Sequence, residues 1–223
     1  MNVKLLFHSP LWVASHAIRM SHDNHDKSDT TEDMVNGRIW ECDWQGDYVY
    51  NFDVPESGAK DRELISRVGN KLKHKSVLEQ LVYWFDIDGI SRGCLQELAR
   101  HRTARLTVKS SRYTLKQLKD APENSMNNFL VSCGDKIADG YNFQQLQLLR
   151  SGLKEGVSND KMKYMLPEAF KTRLQWQIDG RNLQNFLELR TSKDALWEIQ
   201  NLARAIYDAL PSEHRYLYEE YVR

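Results

Sequence analysis

Alternating apolar and polar positions predict the strands of this chain. The clearest alternation covers residues 170–179, where Phe170, Leu174, Trp176 and Ile178 alternate with charged or amide residues. A shorter alternation covers residues 3–7, and residues 81–87 form an apolar, β-prone run. Because side chains on a strand point to opposite faces in turn, these three segments are expected to be strands, with residues 81–87 buried.

Helical periodicity and capping residues predict helices over much of the remaining chain. They are expected from Ser9-Pro10 to about Ser21, over 61–73, from Ser76 with Glu79 as a capping box, from Ser91, over 124–152 with a break near Gly140, from Ser158 to Pro167, from Arg181, and from Ser192 to Pro211. Between two of these helices, Leu106 and Val108 predict an extended segment that also includes Ser110 and Arg112.

The segment from about 22 to 60 follows neither pattern. It is rich in Asp, Asn, Ser, Thr and Gly, and it contains a stretch that alternates on both sides of Gln45-Gly46. Such a stretch predicts a β-hairpin within a surface loop. His22 and His25 stand there beside carboxylates, but a solvated loop is the better interpretation than a metal site, and we expect no metal.

Composition limits the class of protein. A length of 223 residues with 41% hydrophobic content suits one packed domain. The 31 basic and 31 acidic residues balance, which argues against generic nucleic-acid binding. Cys42, Cys94 and Cys133 lack a CxxC arrangement, and no apolar run approaches a bilayer span, so we expect a soluble, cytoplasmic protein with reduced thiols and no membrane partner. GxGxxG and GxxxxGK[ST] motifs are both missing from the sequence.

A basic segment is the first candidate for chemistry. Arg100, His101 and Arg102 stand in a row, and after seven residues Ser110, Ser111 and Arg112 follow. Guanidinium forks match phosphate and carboxylate oxygens, so several on one short segment indicate an anionic ligand. The alternative is a solvated basic helix end that runs into a loop.

A second candidate lies at residues 181–190. Arg181 and Asn185 are four apart and share one face of the predicted helix, while Leu183, Phe186 and Leu187 anchor the other side. By its pattern alone this is an ordinary amphipathic helix with a wet polar face.

Together these segments resemble the flavin-dependent thymidylate synthase family. Its signature is Arg-His-Arg, seven residues, then Ser, usually followed closely by Arg-Tyr or Arg-Phe, and a later segment reads Arg-x-Leu-x-Asn-Phe-Leu-x-Leu-Arg. Both occur here in the family's order. The family's His followed two residues later by Thr or Ser corresponds to His74 and Ser76, and the Ser at its first helix end to Ser21. The segment from about 22 to 60 exceeds the family pattern and is expected to be an insertion outside the chemical centre.

The resemblance implies an α+β fold: a single domain over 1–223 with a small, mostly antiparallel sheet flanked by helices, assembled as a homotetramer whose active sites are shared between subunits. It implies synthesis of dTMP from dUMP, with 5,10-methylenetetrahydrofolate as carbon donor and NADPH-reduced FAD as hydride source. The implied FAD-binding residues are Ser21, His74, Ser76, Arg100, His101, Arg102, Thr103, Arg181 and Asn185. The implied dUMP-binding residues are Glu97, Ser110, Ser111, Arg112, Lys163 and Arg190, and among them Arg190 would face the uracil carbonyls and Ser110 would orient the nucleotide, as the two catalytic residues.

Some positions depart from the family's commoner pattern. Val108 stands where a Glu or Gln is frequent, Asp179 where an Asn often meets the flavin, Asp194 where a His often does, and Lys163 where an Arg often binds phosphate. These departures leave two alternatives open: a degenerate homologue that binds flavin or nucleotide without turnover, and an RNA- or partner-binding protein that uses the basic segment and the aromatic hairpin.

Overall fold

A four-stranded antiparallel sheet forms the centre of the fold. The computed structural model describes residues 1–36, 41–42, 48–49 and 54–223 of the chain, with side chains for 1–36 and 54–223. The strands are β1 Asn2–His8, β2 Glu41–Cys42, β3 Tyr48–Val49, β4 Val82–Ser91, β5 Arg105–Val108 and β6 Lys171–Asp179. The main sheet has the order β1-β4-β6-β5, and β2 pairs with β3 separately. The three predicted strands and the extended segment at Leu106 and Val108 are therefore confirmed.

The register of the central pair explains the buried face. Phe85 of β4 lies opposite Trp176 of β6, and Tyr83 lies opposite Ile178. All four side chains are buried. The alternation that predicted β6 thus places every second side chain in the core.

Nine α-helices surround the sheet in the described part of the chain. They are α1 Trp12–Met20, α2 Glu32–Asn36, α3 Ala59–Ile65, α4 Arg92–Ala99, α5 Ser111–Asp120, α6 Lys136–Lys154, α7 Asn159–Met162, α8 Gly180–Arg190 and α9 Trp197–Asp208. Helix α3 continues as a π-helix over Ser66–Lys71, and short 3-10 helices cover His25–Lys27, Lys75–Gln80, Glu123–Phe129, Lys163–Met165, Arg215–Leu217 and Glu219–Tyr221. No helix of the described residues is both long and apolar enough to cross a bilayer.

The buried apolar residues in the described part of the chain form two clusters. The larger one joins the sheet to α1, α4, α8 and α9 through side chains such as Ile18, Leu98 and Phe186. The smaller one lies between α5, α6 and α7 and includes Leu115, Leu149 and Met162. The chain is an α+β domain with a small antiparallel sheet, as expected.

Three predicted helix starts are wrong. Ser76 caps no helix: residues 75–80 form a 3-10 helix, and its N-cap position is His74, without a side-chain cap. Ser9 accepts a hydrogen bond from the backbone N–H of Val82 instead of capping α1, which has Leu11 at its N-cap. Helix α9 begins at Trp197 rather than near Ser192, whose hydroxyl accepts from the N–H of Asp194 at 3.4 Å. In contrast, Ser91 caps α4 as predicted, accepting from the N–H of Cys94 at 2.9 Å.

Two further expectations about local structure are also wrong. Gly140 lies inside α6, so this helix has no break there. The interruption comes earlier, where Asp135 caps α6 by accepting from the N–H groups of Ile137 and Ala138. Ser110 has the expected extended backbone as the N-cap of α5, but Arg112 does not continue the extended segment, since it lies in the first turn of that helix.

The hairpin expected within the segment of about 22–60 is confirmed by its strands. Glu41 pairs with Val49 and Cys42 with Tyr48, antiparallel. The predicted turn at Gln45-Gly46 lies outside the described residues. The expectation of a surface loop is wrong for the C-terminal end of the insertion, because Glu56 and Ser57 are fully buried.

One anchor of the segment of about 22–60 is the buried carboxylate of Asp61. Its Oδ1 accepts from Arg19 Nε at 2.7 Å, and its Oδ2 accepts from Ser28 Oγ at 2.6 Å and Thr30 Oγ1 at 2.7 Å. Burial alone would raise the pKa of Asp61, but these hydrogen bonds and the Arg19 charge lower it below its usual value. Asp29 completes the anchor by accepting from the N–H groups of Lys60 and Asp61.

A second anchor joins Glu56 to the C-terminal region. Its Oε2 lies 2.5 Å from His214 Nε2 and accepts from the N–H of Leu11 at 2.9 Å. His214 Nδ1 lies 2.7 Å from the hydroxyl of Tyr83 in β4. Burial raises and the His214 and His8 contacts lower the pKa of Glu56, with a net lowering. Both ends of the segment of about 22–60 are therefore bonded to the rest of the chain through buried carboxylates.

Candidate functional site

The ends of α4 and α8 meet around Arg190. Arg190 Nη1 donates to Glu97 Oε2 at 2.7 Å, and Nη2 donates to the backbone oxygen of Glu97 at 3.1 Å. Its Nε lies 3.0 Å from His101 Nε2, and the His101 ring packs edge-on against Phe186. The three hydrogen bonds that Arg190 donates to Glu97 and His101 thus fix the plane of its guanidinium.

The charge state of His101 follows from these contacts. Burial, then the nearby charges of Arg190 and Arg100, lower the pKa of His101 to about 4. The imidazole is therefore neutral near pH 7, and since Arg190 Nε can only donate, Nε2 of His101 must be the accepting nitrogen and Nδ1 the protonated one.

The structure separates the members of the basic segment. His101, expected among the FAD-binding residues, is only 8% exposed and is bonded to Arg190 inside the chain. Arg102 and Thr103 are exposed and form no side-chain hydrogen bond or ion pair with the described residues. Arg100 is exposed and lies 3.6 Å from Glu97 Oε1. The exposed members can reach a ligand directly, and for His101 a flavin contact stays a prediction.

The serine segment belongs to a second group of residues. Ser110 is exposed at the N-cap of α5, and the exposed Arg112 forms an ion pair with Asp160 of α7 at 2.7 Å. Asn159 also donates to the backbone oxygen of Arg112, which fixes α7 against the start of α5. Lys163 follows α7 and is exposed. Ser110, Ser111, Arg112 and Lys163 thus come together at the smaller core. Among the described residues, no hydrogen bond or ion pair links this group to Arg190, Glu97 and His101.

A third group lies where α8 begins. Arg181 Nη1 donates to Glu79 Oε1 at 2.7 Å and so joins α8 to the 3-10 helix that follows His74. Gly180 permits this approach, because a Cβ there would lie 2.7 Å from the backbone oxygen of Leu78. Asn185 is exposed one turn further along α8. His74, Ser76, Arg181 and Asn185 are therefore held on neighbouring elements.

A cavity of about 600 Å³ contains His74 in its wall. It lies between the end of α1, the 3-10 helix His25–Lys27, and α3 with its π-helical continuation. Its lining residues are Ile18, Arg19, His22, Asn24, Lys27, Lys60, Glu63, Leu64, Arg67, Val68, Leu72 and His74. Ser21 stands beside it, donating to the backbone oxygen of Ile18 at 2.7 Å and lying 2.8 Å from His22 Nδ1. We call this space the His74 cavity.

The departures from the family pattern have local explanations in part. Asp179 is the N-cap of α8, where it accepts from the N–H of Asn182 at 2.9 Å and from its side-chain amide at 2.6 Å. A carboxylate suits that position because it complements the positive end of the helix. Val108 ends β5 and is 38% exposed, and Asp194 is exposed. Nothing in the structure explains Val108 or Asp194.

One buried cluster has no counterpart in the sequence patterns. Ligand atoms of His8, Glu56 and His214 all lie within 4.8 Å of one another, a set that could hold a metal ion. His22 and His25 are not part of this cluster. No local spacing could have revealed a cluster whose members come from β1, the insertion and the C-terminal region.

Comparisons with known proteins agree with the family resemblance. A protein-family model described as thymidylate synthase complementing protein matches residues 4–214. A flavin-dependent thymidylate synthase of Wolinella succinogenes is 47% identical over 224 residues, covering 98% of this chain and 97% of that protein. One from Campylobacter jejuni is 45% identical over 225 residues, covering 98% and 96%.

The fold comparison gives the same result. A crystal structure of thymidylate synthase X from Helicobacter pylori with FAD and dUMP is similar with a TM-score of 0.84 and 40% sequence identity, covering 100% of both chains. Identities of this size over nearly the whole length, on the same fold, establish the resemblance carried by the Arg-His-Arg and Arg190 segments. This chain belongs to the flavin-dependent thymidylate synthase family.

Proposed function

We propose that this chain makes dTMP from dUMP by reductive methylation, with 5,10-methylenetetrahydrofolate as carbon donor and NADPH-reduced FAD as hydride source. The observation that supports it most is the guanidinium of Arg190, held by Glu97 and a neutral His101 at the end of α8. Without such bonds a long Arg side chain would sample many rotamers. Because these bonds hold Arg190 in one rotamer, it can present its remaining N–H groups in one direction.

Arg190 is the residue we assign to the uracil ring. As C5 of the ring becomes nucleophilic, negative charge builds on the uracil carbonyls, and a preorganised guanidinium stabilises that charge. The neutral His101 accepts from Nε, and the carboxylate of Glu97 keeps the guanidinium charge partly balanced before substrate enters. Glu97 is half-buried and is our candidate for a nucleotide contact.

Ser110, Ser111, Arg112 and Lys163 form the proposed site for the dUMP phosphate and sugar. Unpaired N–H groups in the first turn of a helix favour an anion, and Ser110 stands at the N-cap of α5. The Arg112–Asp160 pair is exposed on both sides, so a phosphate can replace Asp160 at little cost. Ser110 orients the nucleotide and is not an attacking nucleophile.

The remaining exposed groups fit a flavin dinucleotide. Arg100, Arg102 and Thr103 offer cations and a hydroxyl for its diphosphate, while Arg181, Asn185, His74, Ser76 and Ser21 come from neighbouring elements. The fit rests on Arg102, an exposed cation that has no ion-pair partner among the described residues. When bound, FAD supplies the redox chemistry; the protein supplies charge and orientation.

Assembly belongs to the same proposal. We assign the chain to a single domain, 1–223, with an insertion at about 22–60. This domain would assemble as a homotetramer whose sites combine two groups of residues from different subunits. One subunit supplies the serine group, which is Ser110, Ser111, Arg112 and Lys163, and another supplies the Arg190 group, which is Arg190, Glu97 and His101. The lack of a polar contact between these two groups in the described part of one chain supports sharing. A closed symmetric oligomer repeats each shared site.

Product formation tests the proposal. The purified chain should convert dUMP to dTMP, separated by chromatography, when FAD, NADPH and 5,10-methylenetetrahydrofolate are all present, and omission of any one should stop it. A yellow protein that binds FAD and dUMP yet makes no dTMP would establish the degenerate homologue instead.

A further inference from the structure

Three side chains that can ligate a metal meet inside the fold. His8 ends β1, Glu56 lies at the C-terminal end of the segment of about 22–60, and His214 is the N-cap of the 3-10 helix Arg215–Leu217. Their ligand atoms lie within 4.8 Å of one another, and no other three His, Cys, Asp or Glu residues of the described chain form such a group. None of the three is assigned to FAD or dUMP.

The distances within this group are close to those of a metal site. His214 Nε2 lies 2.5 Å from Glu56 Oε2, and His8 Nδ1 lies 3.7 Å from Glu56 Oε1. Neighbouring ligand atoms of a tetrahedral zinc ion are roughly 3.3 Å apart, because its bonds to nitrogen and oxygen are about 2.0–2.2 Å long. Modest side-chain shifts would therefore place all three donors around one ion. His8 Nδ1 would give up its long contact of 3.3 Å with the backbone oxygen of Ser9.

A tyrosine supports the ring of His214 from the other side. The hydroxyl of Tyr83 lies 2.7 Å from His214 Nδ1, and Tyr218 donates to that hydroxyl at 2.8 Å. An imidazole that binds a metal through one nitrogen usually bonds to a protein group through the other, which fixes the ring. Tyr83 can accept from Nδ1, because a hydroxyl both donates and accepts. The fold thus holds Nε2 of His214 towards Glu56.

Access to the group is from the side of His8. The side chains of Glu56 and His214 are fully buried, whereas that of His8 is 12% exposed. An ion can enter past His8, and water can complete its coordination there. Two imidazoles and one carboxylate are a ligand set that zinc accepts in proteins, with water as the fourth ligand.

We propose that His8, Glu56 and His214 bind a zinc ion through His8 Nδ1, a carboxylate oxygen of Glu56 and His214 Nε2. The ion replaces the proton between His214 and Glu56, and Nδ1 of His214 then carries the ring proton and donates it to Tyr83. The sequence predicted no metal, because the three residues are too far apart in the chain to form a local pattern. The site is structural: it joins β1, the segment of about 22–60 and the C-terminal region through one ion.

Zinc binding to the purified chain tests the proposal. Protein prepared without a metal-affinity column and dialysed against zinc should contain about one ion per chain by mass spectrometry, as one four-coordinate site requires. His8→Gln should weaken the binding of zinc to chelator-treated protein roughly a hundredfold, because one of three protein ligands is lost. The control is His16→Gln, which replaces an exposed histidine of α1 outside the group and should bind as the wild type does. A wild-type chain that takes up no zinc, or a His8→Gln variant with unchanged affinity, would overturn the proposal.

Two further variants separate ligation from folding, which circular dichroism checks for each protein. Glu56→Gln keeps an oxygen for the N–H of Leu11 but loses the charge, and it replaces His8→Gln as the test if that variant does not fold. Tyr83→Phe keeps all three ligands and should weaken zinc binding roughly tenfold, through the orientation of His214 alone.

Thermal unfolding gives a second readout. Zinc should raise the Tm of the chelator-treated wild type and of His16→Gln, but not that of His8→Gln, because only a chain that binds the ion in its folded state is stabilised by it. Equal rises in all three proteins would place the zinc elsewhere and contradict the proposal. These measurements need neither flavin nor dUMP, so their outcome is independent of whether the chain makes dTMP.

Discussion

At the scale of residues, the environment of Arg190 determines what its guanidinium can do. Glu97 and His101 satisfy three of its donors and leave the others for a ligand. His101 can accept only while neutral, and burial together with Arg190 and Arg100 keeps it so. The middle residue of the Arg-His-Arg motif thus acts on the neighbouring arginine of α8, a role that spacing in the sequence does not reveal.

Replacing Arg190 should separate folding from substrate binding. Arg190→Ala should spare the fold and the flavin but weaken dUMP binding more than a hundredfold, because removal of one partner from a bonded charge pair costs roughly 3 kcal/mol or more. Arg190→Lys should recover only part, since an ammonium cannot make the same fork of bonds. Calorimetric titration of dUMP measures this, with Arg173→Ala, an exposed arginine paired with Asp86, as the control. Unchanged affinity in Arg190→Ala would remove Arg190 from the uracil site.

The neutral state of His101 predicts a pH dependence of stability. Its pKa is lowered from 6.5 to about 4, so between these values the unfolded chain binds a proton that the folded chain does not. The contribution of the neutral His101 to the free energy of unfolding is therefore fully present above pH 6.5. It is lost as the pH falls toward 4, and the loss is about 3 kcal/mol at most. His101→Gln should flatten that part of the curve, as measured by urea unfolding at several pH values. Parallel curves for variant and wild type would show that His101 does not titrate in this way.

At the scale of elements, alternation in the sequence was sufficient for the main strands, and Ser91 was sufficient for the start of α4. Serine alone was a poor guide elsewhere. Ser9 and Ser192 make other local or cross-strand hydrogen bonds, which compete with capping. Near Ser76 the chain forms a 3-10 helix of only six residues, and after Leu81 strand β4 begins. These six residues are too few for an α-helix with a cap of its own.

The candidate site could be predicted by residue type but not by grouping. The family motifs pointed to Arg190, His101 and Glu97 as separate residues. The contacts among these residues join α4 to α8 across nearly a hundred positions in the sequence, so they leave no local sequence pattern. The same holds for Glu56 and His214, which are 158 positions apart. Burial of charged side chains depends on such distant partners, so it becomes visible only in the fold.

The two buried anchors predict which part of the segment of about 22–60 can be removed. Replacing residues 37–53 with a short Gly-Ser linker should preserve flavin binding and most of the stability, because Ser28, Thr30 and Glu56 remain. Replacing 26–58 should destabilise the domain by roughly 3 kcal/mol or more, since His214 and Asp61 then lose buried partners. Thermal unfolding and flavin absorbance of both variants measure this. Equal stability of the two variants would mean that the anchors contribute nothing.

At the scale of the whole molecule, the proposed homotetramer makes the site complete only when subunits share it. The serine group lies beside the smaller hydrophobic core, and the Arg190 group lies beside the larger one.

This arrangement predicts complementation between two inactive variants. Arg112→Ala and Arg190→Ala should each be nearly inactive, and equal amounts refolded together should regain about a quarter of the wild-type activity, because random mixing gives each shared site two intact contributions with that frequency. A mixture that stays inactive, with mixed tetramers confirmed by mass spectrometry, would place both segments in one site of one chain.

The measurement that tests the central claim most directly is tritium release from dUMP labelled at C5. Methylation must replace the hydrogen at that carbon, so the FAD-loaded protein should release tritium to water at the rate at which dTMP forms, in the presence of NADPH and 5,10-methylenetetrahydrofolate. Arg190→Ala, still yellow and folded, should release almost none. A wild-type protein that binds flavin and dUMP but releases no tritium would contradict the account.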